Sequence, residues 1–416
     1  MSTIREFQGL WWYPDTPSEQ WLGTLSLAPT KTPSLTITAP STAKASRVEF
    51  PATLYGRANK PITLFHPFEE HSSCSSAISS HKFSAGYAII GEEVASKESF
   101  KVNTLALRLH HFHEWVGRSG FQQSGVMDET ARVAHRLPEL LTFTVKESLS
   151  LSIVGSVSFS DEARERRIQE DTWLTFDDES GLDFARCFDL LHAARHLLHF
   201  AVLKPIYSVE MKCSREGYGS QVGGMFLPYD IEIWSSLNHS DVAPVVIPQL
   251  WVFRYSDIRE DFGVFFGKWL RFCSTFEEAL GCYFATIYHP LPHSVHFLSL
   301  TQAFEAYHGV KFTSHKEQIF EKKIQELAET HKISLQGLVD NPADFATAVL
   351  HNRNYYTHHN PKWKKDGRVV SGGELHRLNE KLRLLFQMCV LSDLGIPAAR
   401  FDRLRRQLAS YIINYE

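Results

Sequence analysis

The residues best suited to chemistry lie together in His351-Asn352-Arg353-Asn354-Tyr355-Tyr356-Thr357-His358-His359-Asn360-Pro361. An imidazole titrates near neutral pH and can accept a proton from a hydroxyl, whereas a guanidinium keeps its charge and forks onto phosphate oxygens. His358 and Arg353 therefore pair a proton acceptor with a cation suited to a charged transition state. On an ideal helix Asn354 and His358, four apart, share a face, but Arg353 and His358, five apart, diverge by about 140°. Two routes reconcile them. Asn360 precedes Pro361 and is pushed out of the α region, so the helix ends near His358 and the geometry there can relax. Alternatively, two copies of the segment meet across a two-fold axis and each completes the other's site. The plain reading is a helix end at which Arg353 and His358 merely complement the dipole.

Helices must position such a segment, and the chain supplies them after about Asp257. Phe262 to Tyr288 reads as one long helix, and Ser294 to Tyr307, Ser314 to His331, Pro342 to Tyr356 and Gly373 to Leu394 repeat the 3.6-residue pattern. Ser314 with Glu317 resembles a capping box, and Asn341-Pro342 places Pro at a first helical position. The N-terminal residues follow a different pattern. Thr24 to Ala28, Ser34 to Thr38, Ile62 to Phe65, Leu149 to Val154, Ile206 to Met211 and Val245 to Tyr255 read as strands between turn residues, with one helix near 183–202. The Ser-heavy residues 71–80 read as a mobile loop, and the charged residues 161–170 as a solvated turn or short helix. The expected class is α+β: a β-rich, sandwich-like part over 1–255, then an all-α bundle over 256–416.

Two resemblances sharpen this. The arrangement Arg353-Asn354-x-x-x-His358, near a helix end in an all-α domain, resembles the signature of HEPN ribonucleases. Phe7-Gln-Gly9-Leu-Trp11-Trp12-Tyr-Pro14, Trp21-Leu-Gly23-Thr-Leu25, Tyr55-Gly56 before Ile62-Thr-Leu-Phe65, and the run Asn103 to Trp115 resemble the opening of ApeA-like antiphage proteins. Those place a β-rich, sensor-like domain before a HEPN domain. The resemblance implies a homodimeric or higher-order endoribonuclease acting without a metal or other cofactor. Arg353, Asn354 and His358 would be catalytic, and the RNA ends would be a 2′,3′-cyclic phosphate and a 5′-OH. It also implies host RNA as substrate, tRNA included, abortive infection as outcome, and a phage-derived trigger sensed by the N-terminal region.

Neighbouring residues have two readings each. Glu305 stands where HEPN domains often carry an acidic residue and would orient Arg353, or is simply exposed. Tyr355, like Tyr356, stacks on bases or packs in a core or interface, and His351 and His359 suit surface or substrate contacts. Lys362, Lys364, Lys365 and Arg368 suit backbone-phosphate contacts beside the cleft. Trp11 and Trp12 read as core aromatics rather than a ligand pocket. Two rival functions stay open: a non-catalytic RNA-binding or scaffold protein on a HEPN fold, and a ligand-binding β-sandwich with a helical dimerisation domain.

Composition sets limits. The 416 residues carry 43 Lys plus Arg and 47 Asp plus Glu, a formal net charge of -4, which excludes a histone-like polyanion binder. Residues 311–416 carry 17 basic and 12 acidic side chains, net +5, and residues 1–310 carry 26 and 35, net -9, so the mild basic excess accompanies the motif. Six cysteines without CxxC spacing fit a reducing cytoplasm, and no stretch has the roughly 18 apolar residues of a membrane helix. His192, His196 and His199 have helical ligand spacing, but without HExxH and beside Arg195 they argue weakly for a metal. No GxGxxG or P-loop occurs.

Overall fold

The structure, a computed structural model, describes residues 4–40, 52–122, 134–162, 165–222, 224–235, 239–240, 242–312, 319–359, 361–365 and 367–406. The chain forms two compact units, residues 1–195 with 206–244, and residues 196–205 with 245–416.

In the first unit, fourteen strands join in one antiparallel sheet. From one edge it runs Leu141–Thr144, Leu149–Glu162, Glu165–Asp183, Lys101–Leu109, Ser208–Ser214, Ile231–Trp234 and Tyr87–Ile90. It continues through Pro61–Phe65, Thr53–Arg57, Arg5–Trp12, Trp21–Leu27, Ser34–Pro40 and Ile78–Ser84 to Phe68–Cys74 at the other edge. Period-two patterning explains which face is inward: Leu35, Ile37 and Ala39 are buried while Thr36 and Thr38 are exposed. The inward side chains of neighbouring strands form one core, with Trp11, Leu25, Leu54, Ile62 and Leu64 all inaccessible to solvent. Trp11 pairs across the ladder with Gly56, and a Cβ added to Gly56 would lie 2.4 Å from the indole. One added to Gly23 would lie 2.8 Å from the same ring. The Gly and Trp residues near the N-terminus thus encode close packing at the sheet's centre.

Three readings of the sequence change here. Residues 71–80 are no loop: they lie in an edge hairpin, with Ser72 paired to His81 and Cys74 to Ser79. Exposure on both faces of Phe68–Cys74 removed the hydrophobic signal that would have marked a strand. Of the charged residues 161–170, the described ones, 161–162 and 165–170, are strand ends in a long hairpin whose register runs from Leu149 opposite Asp178 to Glu162 opposite Glu165. Val245 to Tyr255 forms no strand. It contains 3₁₀ turns at Pro248–Leu250 and Tyr255–Asp257, and Val252 donates its N–H to the Ala201 carbonyl at 2.8 Å.

The helices are α1 (Phe112–Val116), α2 (Phe184–Val202), α3 (Phe262–Thr275), α4 (Glu277–Tyr288), α5 (His293–Lys311), α6 (Phe320–Thr330), α7 (Lys332–Leu335), α8 (Pro342–His358), α9 (Pro361–Lys365) and α10 (Gly372–Leu394). The expected single helix Phe262 to Tyr288 is two, broken at Phe276, which leaves helical angles with φ -113° and ψ 30°. No Gly or Pro announces that break. Ser314 and Glu317 lie outside the described residues. No helix among the described residues is long and apolar enough to cross a membrane.

The helical unit buries a polar chain at its centre. His199 uses Nδ1 on the Lys204 carbonyl at 2.9 Å, which fixes Nε2 as an acceptor for the Tyr283 hydroxyl, also at 2.9 Å, and Gln387 donates to that hydroxyl at 2.8 Å. His296 likewise accepts from Arg383 Nη2 at 2.9 Å. Burial lowers His199 from 6.5 to about 4; burial, then the Arg383 charge, lowers His296 to about 3. In the first unit burial lowers His110 and His239 to about 4.

These shifts fix the direction of acid sensitivity. Between pH about 6.5 and about 4 the unfolded imidazoles bind protons that the folded ones exclude, so stability is present above that window and lost as pH falls through it. Each such residue costs on the order of a few kcal/mol at the acid end. Thermal unfolding at pH 7.5, 6 and 5 should show a falling midpoint, and a flat one would contradict the neutral buried histidines.

Candidate active site

α8 carries the motif, and its limits are set locally. Asn341 caps the start, its Oδ1 accepting the Ala343 N–H at 3.0 Å, and Pro342 occupies the first turn. At the other end His359 adopts left-handed angles, φ 50° and ψ 33°, and its N–H reaches the Tyr355 carbonyl at 2.6 Å. Arg353 through His358 are therefore all helical. Of the two routes open to the sequence, relaxation of the helix before His358 is not taken.

Burial then divides the helix. Phe345, Ala346, Val349 and Asn352 form the inward stripe. Asn352 is 1% exposed; its Nδ2 donates to the Ala348 carbonyl at 2.9 Å, and its Oδ1 accepts the Val370 N–H at 2.9 Å. Tyr356, one turn on, donates its hydroxyl to the Val370 carbonyl at 2.7 Å and packs against Phe297. Two α8 side chains thus satisfy both backbone groups of Val370 and hold the segment after α9 against the helix. Tyr356 is structural, and its phenol pKa is raised by burial.

Arg353 lies beside this stripe, at α5 and α6. Its Nη2 donates to both Glu305 carboxylate oxygens, at 3.0 and 3.1 Å, and its guanidinium carbon stands 4.9 Å from the centre of the Phe320 ring. The pair is about one-third exposed on each side, so it adds under about 1 kcal/mol of stability while fixing direction. Glu305 thus touches Arg353. Phe320 could not be foreseen, because nothing in its own sequence neighbourhood marks it.

The opposite face of α8 is open. Taking 100° per residue, His351, Asn354, Tyr355 and His358 fall within an arc of about 100° centred away from buried Asn352. His351, Asn354 and Tyr355 are half-buried, and His358 and His359 are exposed. Tyr355 meets Tyr356 edge-on at 5.0 Å and His359 at 5.9 Å. His351 lies 5.1 Å from the ring of Trp363, which α9 brings back to this face. Lys362, Lys364 and Arg368 are exposed on the same segment; the Lys365 side chain lies outside the described residues.

The fold thus joins Arg353 with Glu305 and Tyr355 with His359, but it does not bring Arg353 and His358 to one point within a chain. Neither lines the cleft of about 510 Å³ between α8 and α10, which is bounded by Asp344, Asn352, Arg368, Val370, Arg377 and Lys381 among others. The α2 histidines form no metal site: His196 stacks on Phe284 with 9° between planes, His199 is used as above, and among the described residues no three His, Cys, Asp or Glu are placed to hold a metal ion.

A family model described as ApeA N-terminal domain 1 matches residues 6–269, and one described as Apea-like HEPN matches residues 298–400, which include the whole motif. No curated protein and no solved structure matches the chain.

Proposed function

Because the chain belongs to the ApeA-like proteins, an antiphage nuclease family in which an ApeA N-terminal domain precedes an ApeA-like HEPN domain, we propose that its helical unit is a homodimeric, metal-independent endoribonuclease. The observation that carries this is the contrast on α8: Arg353 held by Glu305 and Phe320, and His358 open to solvent one face away. A second copy related by a two-fold axis brings the Arg of one chain to the His of the other.

In that cleft His358 takes the proton of a ribose 2′-OH. The 2′-oxygen forms a bond to the adjacent phosphorus as the bond from phosphorus to the 5′-oxygen breaks. The leaving oxygen takes a proton from the imidazolium, and the ends are a 2′,3′-cyclic phosphate and a 5′-OH. Arg353 offsets the charge of the phosphorane with donors that form no other hydrogen bond among the described residues, and Asn354 bonds a phosphate oxygen or the base. Lys362, Lys364, Lys365 and Arg368 neutralise flanking phosphates. The substrate is host RNA in the cytoplasm, tRNA included, cut when the N-terminal region senses a phage-derived trigger, so that infection aborts.

The divergence of Arg353 from His358 in a single chain also suits a rival, an RNA-binding protein that does not cut. Mapping RNA ends in cells expressing the protein separates the two. New 2′,3′-cyclic phosphate ends during phage infection are expected, and RNA bound without new ends would leave the rival standing.

A further inference from the structure

Trp363 is a large aromatic side chain left half-buried on a five-residue helix, between two exposed lysines. Trp11, Trp251 and Trp269, by contrast, are fully buried, each at 0% exposure. Its ring partner is His351, at 5.1 Å with 43° between planes, and His351 is also half-buried. His351 stands seven residues before His358 on the open face of α8, about 10 Å along the axis. Tyr355 lies between them on that face and carries His359 at 5.9 Å. The open face therefore combines aromatic surface with the exposed charges of Lys362 and Lys364, which flank Trp363 in the chain. A charge of that sign excludes a cationic partner and suits a phosphate backbone, and the rings between the charges suit the faces of bases.

We propose that Trp363, backed by His351, is a stacking seat for an unpaired nucleobase neighbouring the phosphate to be cut, so that the enzyme takes RNA that is single-stranded at that point. This rests on the nuclease reading of α8 and extends it to the form of the substrate. Bases inside a duplex are stacked on one another and present only their edges in the grooves, so a ring seat has no face to receive there. The lysines beside it hold the backbone without regard to sequence, which leaves strandedness, rather than a particular base, as what the seat reads.

Binding is measured by fluorescence anisotropy with the full chain carrying His358→Ala, using a short unpaired RNA and the same sequence in a duplex. In that background Trp363→Ala should weaken single-strand binding about tenfold, and Trp363→Phe should restore most of it, with unchanged thermal midpoints. Duplex should bind more weakly than single strand and lose little with either variant. Unchanged single-strand affinity in Trp363→Ala, or equal affinity for duplex, overturns the seat. Conversion of a dimer to monomers by Trp363→Ala in sedimentation overturns it too, since the face would then be a subunit interface. Cleavage by the wild-type chain is scored separately, so a chain that binds as described but cuts nothing refutes the nuclease and spares the seat.

Discussion

On the proposed mechanism, alanine at Arg353 or at His358 should leave a folded chain without RNA cleavage. A general base contributes about 10²–10⁴-fold, and removing one charge-stabilising donor costs about 10²–10³-fold, so either change takes a modest nuclease below detection. The fold should tolerate both. His358 is exposed and makes no hydrogen bond among the described residues, and Arg353 gives up a partly exposed pair with Glu305 and a ring contact with Phe320. Arg353→Lys separates charge from shape: it keeps the cation but loses the fork, and should retain only a small part of the activity. The measurement is cleavage of labelled RNA beside circular-dichroism melting of each variant. Full cleavage by either alanine variant, with an unshifted melt, would remove these residues from the mechanism.

Two dead variants should make a living enzyme when combined. If the site takes Arg353 from one chain and His358 from the other, a dimer of Arg353→Ala with His358→Ala has one site missing both groups and one site missing neither. Co-expression in equal amounts makes half the dimers mixed, so about a quarter of the wild-type sites return. The expectation follows from an α8 that is helical from Arg353 through His358 and therefore holds the two side chains about 140° apart. A site contained in one chain predicts no recovery at any ratio. Separate tags allow the mixed dimer to be isolated and its rate compared with either parent.

What could be read in advance follows from how local each signal is. The limits of α8 were visible in Asn341-Pro342 and Asn360-Pro361, because capping and proline restriction act within a few residues. The break at Phe276 was not, since a run as apolar as Phe262 to Tyr288 carries no stop residue. The edge hairpin around residues 71–80 was hidden by its serines, which resemble a loop wherever a strand is exposed on both faces. Within the site, Arg353 and His358 were legible from side-chain chemistry, and Glu305 only through family resemblance. The roles of Phe320 and Trp363 depend on contacts that bridge 33 and 12 residues of chain, from Arg353 to Phe320 and from His351 to Trp363, so no local pattern could announce them.

Helix α2 is shared between the two units, its residues through Arg195 in the first and those from His196 in the second. Modularity is therefore lost. A protease nick at Pro244 would not liberate the helical unit, because an unbroken helix still ties it to the sheet. A gene fragment beginning at Val245 would deprive Phe284 of the imidazole stacked on it at 3.5 Å and the buried Tyr283 hydroxyl of one of its partners. The two units cannot be parted by one cut in the gene, so a fragment that drops the first 244 residues should yield a defective helical unit rather than an intact one.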